Sequence, residues 1–351
     1  MRMEENKPLA PLTTFGIGGP GRWYVEAESE EDIREAVGWA GDSGVSVFAL
    51  GGGSNLLVSD AGFDGLVIRV ALKGIEMQEA APGLGERMYS VAAGEDWNAL
   101  VERTVEDRCA GLECLAGIPG TVGGTPVQNV GAYGQEVGSV IERVRVFDSQ
   151  ERTFREFSAE ECGFSYRRSR FNSADRGRLI VTRVDYRLKQ DGEPTLRYPD
   201  LQRIFAERAR EGKQPTVLEV AAAVRKIRHT KGMLLVDGDA DCRSAGSFFK
   251  NPIVSKETFD EVANVRAEEP PHFAAGPGQV KIPAAWLIEN AGFRKGDRLG
   301  SAGISSRHTL ALINGGNSTA AEVLELAEKI RGAVRRMFGI ELEMEPVMVG
   351  F

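Results

Sequence analysis

Val45-Ser46-Val47-Phe48-Ala49-Leu50 runs without a break into Gly51-Gly52-Gly53-Ser54-Asn55-Leu56-Leu57, and this junction decides how the chain is read. A short apolar run with β-branched and aromatic side chains reads as a buried strand. Three consecutive glycines at its end expose backbone N–H groups with no side chain in the way, which suits a diphosphate. A tight loop with no ligand is the alternative that the local spacing leaves open. Working outward, residues 23–27 read as a strand, and Ser29 with Asp32 makes a capping box. Ile33, Ala36, Val37 and Ala40 then follow helical i, i+3, i+4, i+7 spacing up to a stop at Gly44. Residues 66–70 form a further strand beyond the turn at 61–65. The order strand, helix, strand, glycine loop, strand is that of an α/β segment.

Farther along, residues 89–93 read as a strand and 96–106 as a helix. Residues 117–138 then hold Gly117-Ile118-Pro119-Gly120-Thr121-Val122-Gly123-Gly124 and Asn129-Val130-Gly131-Ala132-Tyr133-Gly134. This stretch is too irregular for helix or strand, and such a long run inside a domain is usually functional. It can wrap an extended cofactor with main-chain contacts, Asn129 and Tyr133 adding polar handles, or it can be an Ω-loop packed by its own side chains. Strands at 144–148 and 179–188 flank a helical turn capped by Ser158 and Glu161. Residues 189–214 read as a polar connector, and Thr216 with Glu219 caps a helix. Helices near Phe259 and Trp286, a strand at 309–313, a helix capped by Thr319 and Glu322, and an alternating strand at 340–349 complete the chain. Three domains are expected, at 1–70, 71–214 and 215–351, the last strand being a candidate to return to the first.

Composition narrows the function. Of 351 residues 42 are glycine, about twice the usual share, as tight turns or close backbone approach to a ligand require. The net charge of −8 with no long basic run and no aromatic-basic interleaving argues against nucleic acid as a partner. Four cysteines without a C-x-x-C pair and three scattered histidines give no metal site. No apolar stretch approaches the length needed to cross a bilayer and no secretory leader is visible, so a cytoplasmic protein is expected. Gly16-Ile17-Gly18-Gly19-Pro20-Gly21 matches G-x-G-x-x-G, but it opens a strand rather than a helix, so it is not a dinucleotide fingerprint.

Three further motifs could carry chemistry. Phe164-Ser165-Tyr166-Arg167 sets an aromatic ring beside a guanidinium, whose planar fork suits a carboxylate; a surface ion pair is the alternative. In Gly246-Ser247-Phe248-Phe249-Lys250-Asn251-Pro252 a hydroxyl among apolar groups must find a partner or a task. No G-x-S-x-G elbow surrounds it, so a serine nucleophile is not expected. The basic run at 225–231 complements a helix C-terminus or contacts phosphate. Glu341, Glu343 and Glu345 read as the solvated face of an edge strand, and their periodicity does not single out Glu345.

Taken in order, residues 13–19, 51–57, 117–134, 164–167, 246–252 and 342–345 resemble the UDP-N-acetylenolpyruvoylglucosamine reductases over nearly the whole chain. The resemblance implies an α+β protein: a vanillyl-alcohol-oxidase-type (PCMH-type) FAD-binding domain of two α/β subdomains, then an α/β substrate domain. It implies non-covalent FAD held by Gly51, Gly52, Gly53, Ser54, Asn55, Leu56, Ile118, Pro119, Gly120, Gly123, Gly124, Asn129, Gly131, Ala132, Tyr133 and Arg228. NADPH and the UDP-sugar enolpyruvyl ether would use one site in turn. Arg167 would stabilise the developing enolate, Ser247 would protonate C2, and Glu345, held protonated or acting through water, would stand beside the charge. Tyr166, Tyr198, Lys231, Asn251 and His308 would bind substrate. Tyr166-Arg167 and residues 196–201 resemble the longer subtype, in which a tyrosine-bearing flap covers the substrate. The sequence departs from the family pattern at Gly232-Met233 after Lys231, and at Met344 and Pro346 around Glu345. Another flavin oxidase of the same fold, acting on hydroxy acids or sugar lactones, and a nucleotide-binding scaffold are the competing readings.

Overall fold

A computed structural model of the chain describes every residue except 1, 82, 84, 267 and 268. The chain divides into two units: Met1–Lys7, Gly21–Gly53 and Phe63–His229 in the first, Pro8–Pro20, Ser54–Gly62 and Thr230–Phe351 in the second. Helix and strand are mixed throughout, the α+β content that the sequence leads one to expect.

In the first unit, strands Pro20–Ala27 and Val47–Leu50 flank Phe63–Val70 and pair with it in parallel, Trp23 and Val47 both lying opposite Leu66. Leu66, Val67 and Ile68 are fully buried, the continuous apolar run of a strand covered on both faces. Helix Glu30–Asp42 starts at the Ser29/Asp32 capping box and buries Ile33, Ala36, Val37 and Ala40. Each large aliphatic side chain so buried contributes roughly 1.5–3 kcal/mol. Because the strands are parallel, Gly51 leaves the sheet at its carboxyl edge, where ligand loops of open α/β sheets sit. A second, antiparallel sheet is centred on Leu179–Gln190, which pairs with Ile141–Asp148 on one side and Glu86–Ala92 on the other. Strands Thr153–Ser158 and Ile75–Ala81 lie at its edges.

Three expectations change here. Strands Met3–Pro8 and Ile75–Ala81 were absent from the sequence reading; the second alternates only through Ile75 and Met77, both of which are exposed. The polar connector at 189–214 contains helices Pro199–Ile204 and Ala206–Arg210, the first opened by a proline that loses no helical hydrogen bond at that position. Helix Val217–Thr230, at the start of the expected third domain, packs Val220, Ala221 and Val224 into the first unit's core.

In the second unit the capping box Thr319/Glu322 starts the long helix Ala320–Phe338, and Gly339 at φ 70° ends it. Asp60 also accepts from Ala320 N and Ala321 N at 2.8 and 3.1 Å, placing a carboxylate at the positive end of the helix dipole. Val323, Leu326, Ala327, Ile330 and Val334 belong to the same core cluster as Phe15, Leu57, Phe248 and Leu342. The strand expected at 309–313 is Leu312–Asn314, because the chain turns at His308, whose carbonyl accepts from Ala311 N. Of the terminal strand expected at 340–349 only Val347–Val349 forms, in parallel with Leu56–Val58. Ile340 and Leu342 are buried instead, and Pro346 has no N–H to continue a ladder. Among the described residues no helix is long and apolar enough to cross a membrane.

Candidate active site

The two glycine-rich stretches of the first unit lie backbone against backbone. A Cβ placed on Gly52 would sit 2.5 Å from Gly120 Cα and 2.9 Å from Thr121 N, and one on Gly51 would sit 2.8 Å from Thr121 Oγ1. Glycine is therefore required at 52 by the backbone of the neighbouring loop and favoured at 51 by the Thr121 side chain, and Gly53 and Gly120 take φ of 63° and 133°, which glycine adopts without strain. The second loop is fixed by the helix Trp97–Glu106. Trp97 N donates to Gly120 O, Asn98 Nδ2 donates to Ile118 O at 3.1 Å, and Asn98 Oδ1 accepts from Gly117 N at 2.7 Å. Gly123 presses on Ala93, whereas the Cα of Gly124 faces open space. Pro119 is half-buried beside them.

Thr121 is the residue that the sequence reading missed. Its Oγ1 is buried and has no hydrogen-bond partner among the described residues, a state that leaves a desolvated hydroxyl uncompensated. A cradle of bare glycine backbone with an unsatisfied hydroxyl at its floor fits a diphosphate-bearing cofactor. The spacing G-I-P-G-T could have flagged it, since a hydroxyl between loop glycines is a common phosphate donor type.

Residues Gly131–Ala132 pair with Gln135–Glu136 across Tyr133 and Gly134, which take φ of 50° and 84°. Two consecutive positive φ values make a type I′ hairpin, with tyrosine where asparagine usually stands. The Tyr133 ring meets Tyr198 edge-on with centroids 5.1 Å apart, so the segment leading into helix Pro199–Ile204 lies on this hairpin. Arg228 is buried and donates from Nε to Gly117 O at 3.0 Å. Burial pushes its guanidinium below the ordinary value, and Tyr133 beside it pulls the other way. A buried cation at a glycine loop is suited to an anionic group.

Arg167 sits at the third position of a turn in which Ser165 and Arg168 exchange both backbone hydrogen bonds at 3.0 Å. Its φ is 54°, a conformation that turns of this kind normally give to glycine. Arg167 Nη2 donates to Gly131 O at 2.7 Å, and Asn172 Nδ2 donates to Arg167 O at 3.1 Å. The guanidinium also stands 5.3 Å from the Tyr166 ring centroid. Asn129, read as a cofactor handle, has its side chain directed to protein groups: Glu136, Ser165 O and Gly138 N. Cys114 is buried, its thiol pushed upward by desolvation and donating to Thr195 O at 3.3 Å.

In the second unit, Phe249 bridges Met344, and Glu345 N donates to Phe248 O at 2.9 Å. Half-buried Ser247 and half-buried Glu345 thus lie on paired segments, although nearly a hundred residues separate them in sequence. Asn55 holds the same segment, donating from Nδ2 to Glu345 O at 3.2 Å and accepting from Val347 N at 2.9 Å. Leu56 pairs with Val347. Thr14 was not singled out from the sequence; its Oγ1 lies 2.7 Å from Ser244 O and 3.4 Å from Ser54 O. Lys250 forms an ion pair with Glu343, and Asn251 Oδ1 accepts from Ala284 N at 2.8 Å, starting helix Ala284–Asn290. Lys231 is half-buried just ahead of Gly232, whose φ is 65° and whose Cα faces the Arg307 guanidinium. Half-buried His308 follows, its N–H donating to Ser305 Oγ at 3.3 Å.

Comparison with known proteins bears on this arrangement. Residues 22–155 match the family model of an FAD binding domain, and residues 238–349 match the C-terminal domain of UDP-N-acetylenolpyruvoylglucosamine reductase. The UDP-N-acetylenolpyruvoylglucosamine reductase of Streptomyces coelicolor is 44% identical over 351 residues, 98% of this chain and 89% of that protein. That of Thermobifida fusca is 43% identical, with 98% and 97% covered. The crystal structure of the reductase from Thermus caldophilus matches with a TM-score of 0.68 at 29% identity, covering 99% of each chain. The chain belongs to the UDP-N-acetylenolpyruvoylglucosamine reductase family and is an FAD-dependent reductase.

Proposed function

We propose that the chain reduces the enolpyruvyl ether of UDP-N-acetylglucosamine to UDP-N-acetylmuramate in the cytoplasm, with NADPH as electron donor, during peptidoglycan precursor synthesis. The observation that carries the residue assignment is the pairing of the Ser247 segment with the Glu345 segment. FAD, when bound, would supply the redox chemistry that carries hydride from NADPH to C3 of the enolpyruvyl group. Gly51–Gly53, Ile118–Gly120, Thr121 and Arg228 are the residues that would hold it.

Ser247 is assigned the proton delivered to C2. A hydroxyl is a weak acid, so it serves only where the acceptor has become carbanion-like, and a positioned acid of this sort contributes about 10²–10⁴ in rate. Arg167 is assigned the substrate carboxylate, into which negative charge spreads as hydride arrives. Its turn holds the guanidinium in place before the charge develops, which is how preorganised electrostatics lowers a barrier. Glu345 is assigned a place beside that charge, either neutral or acting through a water. Tyr166, Tyr198, Lys231, Asn251 and His308 are assigned to the UDP-sugar, with Tyr198 at the base of a flap. NADPH and the UDP-sugar take turns at one site in this reading.

The test is anaerobic. NADPH should bleach the flavin, and the enolpyruvyl substrate should restore its colour, with little consumption of O₂ in the aerobic assay. S247A should leave bleaching nearly intact and slow reoxidation at least a hundredfold; equal slowing of both half-reactions defeats the proton-donor role. Rapid O₂ turnover without the enolpyruvyl sugar points instead to an oxidase.

A further inference from the structure

We propose that Asn129 is a positioning residue for Arg167, stitching the cofactor loop to the turn that carries the arginine, rather than a side-chain ligand of the cofactor. The inference rests on the role given to Arg167 above. Asn129 is 1% exposed. Its Nδ2 donates to Glu136 Oε2 at 2.8 Å and to Ser165 O at 3.0 Å, and its Oδ1 accepts from Gly138 N at 2.9 Å. A carboxamide has two N–H groups and one oxygen, so these contacts use both donors and engage the acceptor. Ser165 O closes the turn that holds Arg167, which makes Asn129 the side chain gripping the base of that turn.

Two further contacts join the same pair of segments. Ser169 Oγ donates to Val127 O at 2.6 Å, and Arg167 Nη2 donates to Gly131 O at 2.7 Å. Alternate residues 127, 129 and 131 of the glycine-rich stretch thus each engage the segment 165–169. Through Glu136, Asn129 also ties the far strand of the Tyr133 hairpin into the same node. Its backbone φ is 46°, a region where asparagine is among the few tolerated side chains. The loop and the arginine turn therefore form one mechanical piece, with Asn129 as its central fastening.

Asp at position 129 separates this role from general folding. N129D keeps the backbone preference and an acceptor for Gly138 N–H, but loses both donations and sets a carboxylate against Ser165 O and Glu136. N129G keeps the backbone and removes the side chain, and it carries the test if N129D does not fold. Holoenzyme of each variant, of R167K and of N129D/R167K would be followed by anaerobic stopped flow in both half-reactions. We expect FAD affinity and the rate of bleaching by NADPH to stay within about threefold of wild type. Reoxidation by the enolpyruvyl substrate should fall about tenfold to a hundredfold, as displacements of about 1 Å do. The double variant should be little slower than R167K alone, because the two residues act in one chain of contacts. Loss of FAD, equal slowing of both half-reactions, or multiplicative effects in the double variant overturn the proposal. If R167K reoxidises at the wild-type rate, the role of Arg167 falls and this inference with it. If R167K is slow while both Asn129 variants are not, this inference alone falls.

Discussion

Gly52→Ala tests the claim that two glycine loops form the cofactor cradle by lying directly on each other. The added Cβ would be 2.5 Å from Gly120 Cα, 2.8 Å from Gly120 C and 2.9 Å from Thr121 N. Non-bonded carbons rest at about 3.5–4.0 Å, so the shortfall is about 1 Å. All three atoms are backbone, and no side-chain rotation can relieve the clash. Gly52 is not among the residues with positive φ, so the effect is steric and not conformational. Overpacking of this kind costs about 1–3 kcal/mol, and the upper part of that range is expected where only backbone can yield. With about 2–4 °C lost per kcal/mol in a unit of this size, apoprotein Tm should fall by about 4–12 °C. Parting the loops also misplaces the N–H groups of both, and the FAD dissociation constant should rise about tenfold to a hundredfold.

Differential scanning calorimetry of the flavin-stripped protein and titration with FAD followed by flavin fluorescence read the two effects separately. Gly38→Ala is the matched control: Gly38 lies inside helix Glu30–Asp42, and a Cβ there meets nothing within 4 Å. That change should stabilise by about 0.5–1 kcal/mol without altering FAD affinity. A G52A protein that melts and binds FAD like wild type would refute the loop-on-loop geometry outright.

Thr121→Val removes a buried hydroxyl that has no partner among the described residues. Apoprotein stability should hold or rise, while FAD affinity falls about five- to tenfold, the worth of one net hydrogen bond; unchanged affinity shows that the hydroxyl does not face the cofactor. Asp148 is fully buried and accepts from Arg178 at 2.8 and 2.6 Å, from Arg155 at 3.2 Å, and from two backbone N–H groups. Arg178 above all holds its carboxyl well below the usual carboxylate range. A depressed folded-state value stabilises the fold above the unfolded pKa near 3.9 and is lost as pH falls through and below it. D148N should therefore lower stability at pH 7 by on the order of 2–3 kcal/mol, the partner arginines being partly hydrated. It should also flatten the decline in Tm between about pH 5 and pH 2, and a parallel acid limb in wild type and variant contradicts the assignment.

What could be read from the sequence was what neighbours in sequence decide. The pairs Ser29/Asp32, Ser158/Glu161 and Thr319/Glu322 all close as capping boxes, because both partners of each lie within four residues. The glycine runs likewise announced tight backbone. Partners far apart in sequence were not legible residue by residue, although the last strand was a candidate to return to the first domain. Leu56–Val58 belongs with Val347–Val349, so the motif Gly51–Leu57 is divided between the two units at the Gly53–Ser54 bond. Thr14 and Asn98 likewise act on carbonyls that no local pattern connects to them. Asn129 was visible as a polar residue in a functional loop, but its direction was not: whether an amide faces a ligand or the protein is fixed by what packs behind it.

The backbone itself supports this division. Eight described residues other than glycine have positive φ, and three of them are Asn129, Tyr133 and Arg167. For an L-residue that conformation costs about 1–2 kcal/mol, and glycine at the same position would adopt it freely. Such strain persists only where surroundings over-determine it. Here they do: Tyr133 is held in a paired hairpin against Tyr198, and Arg167 by bonds to Gly131 and Asn172. Glycine would make each turn more easily but would carry no ring and no guanidinium. The turn at residues 165–168 therefore places side-chain chemistry where backbone preference alone would have chosen none, and the contacts of Asn129 help to hold that turn against its own relaxation.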